Sequence, residues 1–207
     1  QDNRNPFIDF PQLVDLIYGS SLDSFEINNC VDENMNNICD ELEEINQAVT
    51  IDQGWSIVST YLNPQDASLE NVFNPIINNL VIVKDEDGNV YWPAYNLNSI
   101  GDIVPGKGYQ IKMNDADELI FNGILISSNY PISLLNTWNL VAYLYQDPNS
   151  VIDMMESIAD NLIIVKDQDG SVYWPSYNLN SIGNMLPGKG YQIKMINPDT
   201  LIYPDIE

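Results

Sequence analysis

The sequence predicts a mainly β protein with minor α content, built as two tandem antiparallel sandwich or barrel modules, each with one short helix. Three observations predict it. A 33-residue stretch recurs 82 positions on with only seven differences: Val81 to Met113 reads VIVKDEDGNVYWPAYNLNSIGDIVPGKGYQIKM, and Ile163 to Met195 reads IIVKDQDGSVYWPSYNLNSIGNMLPGKGYQIKM. Short runs of alternating apolar and polar residues lie between Gly, Pro and Asn turn signals. Each copy has a single stretch with helical spacing.

Three regions follow. Residues 1–46 stand outside the repeat, residues 47–129 form the first module and residues 130–207 the second. Each module opens on a tryptophan and an apolar run, Trp55 to Tyr61 and Trp138 to Leu144. The tryptophans are 83 apart and the later landmarks 82, so one residue is lost between Trp138 and Leu162, expected in the loop at Asn63-Pro64 and Gln146-Asp147-Pro148. The helix of the first copy places Leu69, Val72, Phe73 and Ile76 on one face; Val151, Ile152, Met155 and Ile158 match it, with Asn149 or Ser150 as N-cap. Pro75 is expected to distort or shorten the first helix, where the second has Ser157. Next comes a hairpin, Ile82–Lys84 and Val90–Trp92 around a turn in which Gly88 supplies positive φ. Tyr109–Met113 alternates as a half-buried strand, with Tyr109, Ile111 and Met113 inward and Gln110 and Lys112 outward. A last strand, Glu118–Phe121, matches Thr200–Tyr203.

The 207 residues include seven basic against 30 acidic ones, for a formal charge of −23. Such a surface repels phosphate backbones and anionic membranes, which argues against nucleic-acid partners. It suits cation binding, or solubility in salty water. No apolar run nears the ~18 residues of a membrane helix, so membrane insertion is not expected. The chain opens on Gln1, which is read as a processed, secreted N-terminus. Cys30 and Cys39 form a disulfide in an oxidising compartment, the reading favoured here, and are two free thiols inside a cell. Asparagine is abundant at 27 residues and histidine is absent, which removes the usual acid–base agent near neutral pH.

The sharpest chemical motif is Asp32-Glu-Asn34-Met-Asn36-Asn-Ile38-Cys-Asp40-Glu-Leu-Glu43. Oxygen side chains at loop positions 1, 3, 5, 9 and 12, with the Ile38 carbonyl at position 7, have the spacing of an EF-hand-type calcium site. Asn37 stands where such loops carry glycine, and asparagine tolerates the left-handed conformation better than most residues. Three charged ligands imply modest affinity, suited to a calcium-rich exterior. A helix over Glu41–Ala48 is expected to follow. The motif resembles the D-x-D-x-D-G-[IV]-C-D-x-x-E calcium repeats, related to thrombospondin type 3 and dockerin loops, of secreted multimodular proteins of marine Bacteroidetes. The repeated module, with its Gly54-Trp55-Ser56-Ile57-Val58-Ser59 start and GKGYQIKM, is similar to a companion module in such proteins. That resemblance implies export and an extracellular or surface location. It names no substrate.

Gly101 to Lys107, repeated from Gly183 to Lys189, mimics a phosphate-binding loop. The mimicry ends at Gly108 and Gly190, where Ser or Thr would hold magnesium, and a strand follows instead of a helix. A Pro-Gly turn presenting Lys107 and Lys189 is the better reading. Tyr91, Trp92 and Tyr95, with Tyr173, Trp174 and Tyr177, are candidates for ligand contact, set against packing in the core or between modules; alternation lets only one of Tyr91 and Trp92 face inward. Six of the seven basic residues form matched pairs, Lys84 and Lys166, Lys107 and Lys189, Lys112 and Lys194. Partly buried pairing with carboxylates, or contact with an acidic neighbour, is expected to retain them.

No nucleophile–base–acid constellation stands out, so no catalytic residue is assigned. The leading expectation is a non-catalytic extracellular structural or adhesive protein, stiffened by Ca2+, that self-associates into a filament or layer or binds neighbouring surface proteins. The alternative is a carbohydrate-binding protein using the repeated Tyr/Trp surfaces.

Overall fold

The computed structural model describes residues 42–206. One compact unit, Glu43–Glu207, holds both modules. The first module runs β1 (Ile45–Ile51), β2 (Gly54–Val58), β3 (Leu62–Pro64), α1 (Leu69–Val72), β4 (Leu80–Lys84), β5 (Val90–Trp92), β6 (Leu97–Asn98), β7 (Tyr109–Met113) and β8 (Asp117–Leu125). The second runs β9 (Ile132–Leu134), β10 (Trp138–Ala142), β11 (Asn149–Ser150), α2 (Val151–Met154), β12 (Leu162–Lys166), β13 (Val172–Trp174), β14 (Leu179–Asn180), β15 (Asn184–Met185), β16 (Gly190–Met195) and β17 (Asp199–Leu201). The fold is mainly β, with antiparallel sheets and a sandwich-like character.

The repeated 33 residues build the same sheet twice. Strand order is β2-β7-β4-β5-β6 in one module and β10-β16-β12-β13-β14 in the other. A smaller sheet backs each: β1-β8-β3 in the first, β9 with β17 in the second. Between the layers lie two separate cores, one around Phe73, Val83, Ile111 and Leu119, the other around Met155, Val165, Ile193 and Leu201. The alternation of Tyr109–Met113 holds, with positions 109, 111 and 113 buried. Tyr91 faces the core and Trp92 is half-buried, as the strand period requires.

Turn chemistry recurs with the sequence. Asp85 Oδ1 accepts from the amides of Asp87 and Asn89 at 3.0 and 2.8 Å. Asp167 Oδ1 does the same for Asp169 and Ser171 at 2.9 and 2.7 Å. Asn79 and Asn161 each donate to the first carboxylate of a later strand, Asp117 at 2.9 Å and Asp199 at 2.8 Å.

Several expectations are corrected. The helix over Glu41–Ala48 is replaced from Ile45 onward by β1, because Gln47, Val49 and Ile51 bury alternately against β8 and period two wins over period 3.6. Pro75 does not distort its helix: in both copies four α residues are followed by a 3-10 turn, Asn74–Ile76 or Glu156–Ile158, and Pro75 sits in the first positions of that turn. Ile152 is 51% exposed, and Met154 occupies the core beside Val151 and Met155. Ser150 holds the N-cap position without a side-chain capping bond. The last strand of the first module, β8, has nine residues, whereas β17 stops at Leu201. Tyr203 is nevertheless buried and donates to the Ala142 carbonyl at 2.8 Å.

Candidate functional site at the module junction

The Pro-Gly turn that mimics a phosphate loop joins the modules. Pro105 and positive-φ Gly106 (81°) close a turn in which Lys107 N donates to Val104 O at 3.1 Å; Pro187, Gly188 (79°) and Lys189 repeat it at 3.2 Å. The Tyr109 and Tyr191 hydroxyls each accept the amide at the start of the turn, Val104 and Leu186, at 2.8 Å. Burial pushes both phenols up to about 12.

Each turn caps the open edge of the other module's first sheet strand. Ser59 N donates to Gly188 O at 3.0 Å, and Ala142 N to Gly106 O at 2.9 Å. The hairpin turns add a second reciprocal pair: Ile57 N donates to Gln168 Oε1 at 3.1 Å, and Leu140 N to Glu86 Oε2 at 2.8 Å. Glu86 also pairs with Lys107, whose own pKa burial pushes down while Asp85 opposes. Gly108 and Gly190 meet at the centre. A Cβ on Gly190 would lie 2.7 Å from Ile57 Cγ2, and one on Gly108 would lie 3.1 Å from Val141 O. Glycine is required there by close approach, which is why Ser or Thr is missing from the phosphate-loop pattern. Lys107 and Lys189 are therefore junction residues.

Two clefts open beside this junction. One, of about 210 Å³, is lined by Trp55, Ile57, Gln110, Asp167, Gln168 and Gln192. The other, of about 320 Å³, is lined by Trp138, Leu140, Gln192, Asp85, Glu86 and Gln110. Their linings are repeat equivalents, and both include Gln110 and Gln192, so the clefts adjoin at the two glutamines, each with its own tryptophan. Trp55 is 50% exposed and Trp138 38%. Cross-strand register sets Trp55 opposite Lys112 and Ile57 opposite Gln110; Trp138 stands opposite Lys194 and Leu140 opposite Gln192. Two ammonium groups lie near each ring: Lys84 and Lys112 at 5.2 and 5.8 Å from the Trp55 centroid, Lys166 and Lys194 at 5.0 and 5.5 Å from Trp138. These four retained lysines thus meet indole faces, where carboxylate partners were expected. Such contacts contribute about 0.5–1 kcal/mol each at exposed sites.

The predicted aromatic residues form a different surface. Trp92 and Tyr95 stack edge to face at 4.4 Å, and Trp174 and Tyr177 at 4.5 Å. Tyr95 and Tyr177 are 70% and 71% exposed beside the exposed Leu97 and Leu179 of the short outer strands. Asn96 and Asn178, at φ 49° and 52°, make the bend that leads there. Tyr91 belongs to the core, and Tyr173 packs against the second one. Sequence reasoning missed Trp55 and Trp138 as site residues. Their signal was the outward phase they share with Lys112 and Lys194, readable only once β2 is known to pair with β7.

Of the calcium-loop residues, Asp32, Asn34, Asn36, Ile38 and Asp40 lie outside the described residues, as do Cys30 and Cys39; Glu43 just precedes β1. Among the described residues no group of three or more acidic side chains is placed to hold a metal, and no helix is long and apolar enough to cross a membrane. Comparison with protein-family models, curated proteins and solved structures gave no match.

Proposed function

We propose that the chain is a non-catalytic extracellular structural or adhesive protein that presents one surface twice and carries Ca2+ at the Asp32–Glu43 loop. The reciprocal docking of the two modules is the observation that carries this reading. The most faithfully repeated residues serve that docking and the outer face: Gly106 to Gly108 and Gly188 to Gly190 build the junction, and four lysines flank the tryptophans. Because each module caps the other, the docking surface is used up within one chain. Assembly into a filament or layer, or attachment to a neighbouring surface protein, therefore runs through the outer edges at Tyr95–Leu97 and Tyr177–Leu179. Light scattering of the full chain across concentration, with and without calcium, tests this. Growth that Tyr95→Ala with Tyr177→Ala suppresses is expected. A wild-type chain that stays monomeric under every condition and binds no cell surface sinks it.

A second reading, carbohydrate binding, is favoured by the paired Trp92–Tyr95 and Trp174–Tyr177 rings, since exposed aromatic faces suit the C–H faces of sugars. Two equal sites on one body would also raise apparent affinity for a repeating polymer. Glycan-array retention that Trp92→Ala and Trp174→Ala abolish is the expected result.

A further inference from the structure

We propose that the junction surface of each module is self-complementary, so that it docks the same surface of a second copy of this chain. The proposal rests on the reciprocal docking of the modules and adds a partner for it, separate from the outer edges. In the closed chain the contacts run between equivalent residues. Ser59 N donates to Gly188 O as Ala142 N does to Gly106 O, and Val58 forms an antiparallel bridge with Lys189 as Val141 does with Lys107. At the centre, equivalent residues meet each other: a Cβ on Gly190 would lie 3.5 Å from the Cα of Gly108. A residue that meets its own equivalent lies at a local two-fold axis, the geometry of an isologous dimer. One chain thus closes within itself the interface that two identical modules form.

Each receiving site takes a turn of the same sequence, since Pro105 to Gly108 and Pro187 to Gly190 are both Pro-Gly-Lys-Gly. Gly188 seats against Val49, and Gly106 against Ile132. The hairpin acceptor differs, Glu86 against Gln168, yet both present a side-chain oxygen to an amide of the other module. The first module's site therefore accepts the first module's turn from another copy with the same backbone contacts. It is also the stronger site, because Ser59 Oγ donates to Lys189 O at 2.6 Å and Ala142 has no such group. Contacts alone do not favour the closed form; the connection between modules does. Ile126 N is the last tie to the first module, on Tyr61 O at 2.9 Å, and β9 begins at Ile132. So short a link holds the partner surface at an effective concentration of about millimolar. Below that concentration the native chain closes on itself. A chain with one damaged surface offers the other to a second copy.

The test uses variants of the whole chain and chromatography with light scattering. Gly190→Val blocks the second module's surface and leaves the first one free. It is expected to form a dimer of twice the chain mass, at a concentration at least about tenfold below that at which Gly108→Val with Gly190→Val begins to associate. Adding Tyr95→Ala and Tyr177→Ala should leave that dimer intact, which separates it from assembly through the outer edges. Gly108→Val alone repeats the experiment with the second module's surface. A folded single variant that stays monomeric at every concentration overturns the proposal. So does one that associates no more readily than the double variant, or whose dimer disappears with the two tyrosines. If neither single variant folds, as near-UV dichroism reports, the native chain decides. Refolded from urea at about millimolar concentration, it is expected to yield dimers that persist on dilution, with or without the two tyrosines. Recovery of monomer alone overturns the proposal.

Discussion

Gly190 has room for a hydrogen and nothing larger: a methyl group would sit 2.7 Å from Ile57 Cγ2 and 3.2 Å from the Val58 carbonyl. Gly190→Ala is therefore expected to cost about 1–3 kcal/mol, read as a lower urea midpoint. The equivalent Gly108→Ala faces the Val141 carbonyl at 3.1 Å and should cost less. In the sequence these glycines spoil a phosphate loop; only their neighbours show what they are for. Three buried phenols act at the same scale. Burial raises Tyr109, Tyr143 and Tyr191 from 10.0 to about 12, so the folded state keeps protons that the unfolded state releases. Stability from this source is complete below pH 10 and is lost between 10 and 12. Tyrosinate absorbance in an alkaline titration should rise together with loss of near-UV dichroism; ionisation of these phenols in a chain that remains folded would contradict it.

Among elements, strands with a strict period were legible and short mixed ones were not. β7 and β16 read correctly because their inward positions are all large and apolar. The stretch that forms β1 was misread as helix, since Gln47 occupies a buried position. Its amide oxygen accepts from Thr60 Oγ1 at 2.7 Å and from Tyr61 N at 3.3 Å, a partnership that no local pattern announces. Strand crowding makes a further test. A Cβ on Gly123 of β8 would lie 2.3 Å from the Asn63 carbonyl of β3. Gly123→Ala should force those strands apart in the first module while the second keeps its hydrogen-exchange protection, since the cores are separate. The hairpin turns are legible too. Asp167→Ala removes the acceptor of two turn amides and is expected to cost about 1 kcal/mol and to loosen Gln168 from Ile57.

At the scale of the whole molecule, the docking solves the problem of open sheet edges. β2 and β10 each pair on one side only, and the partner module's turns cover the other. Forcing the modules apart with Gly108→Val and Gly190→Val together should expose both edges. Chromatography with light scattering is expected to show association that rises with concentration, beyond any seen for the native chain. If that variant stays as compact and as monomeric as the native chain, the junction does not protect these edges.

The duplication, the turn positions, the β character and the inward face of the main strands are properties of the sequence alone. They depend on residues within a few positions of one another, where periodicity and turn preferences act. The partners of the retained lysines, the purpose of the two glycines and the two tryptophan-lined clefts at the junction were decided only by tertiary structure. Each of these depends on which strand lies beside which, and that pairing joins residues far apart in the chain by contacts that leave no local trace.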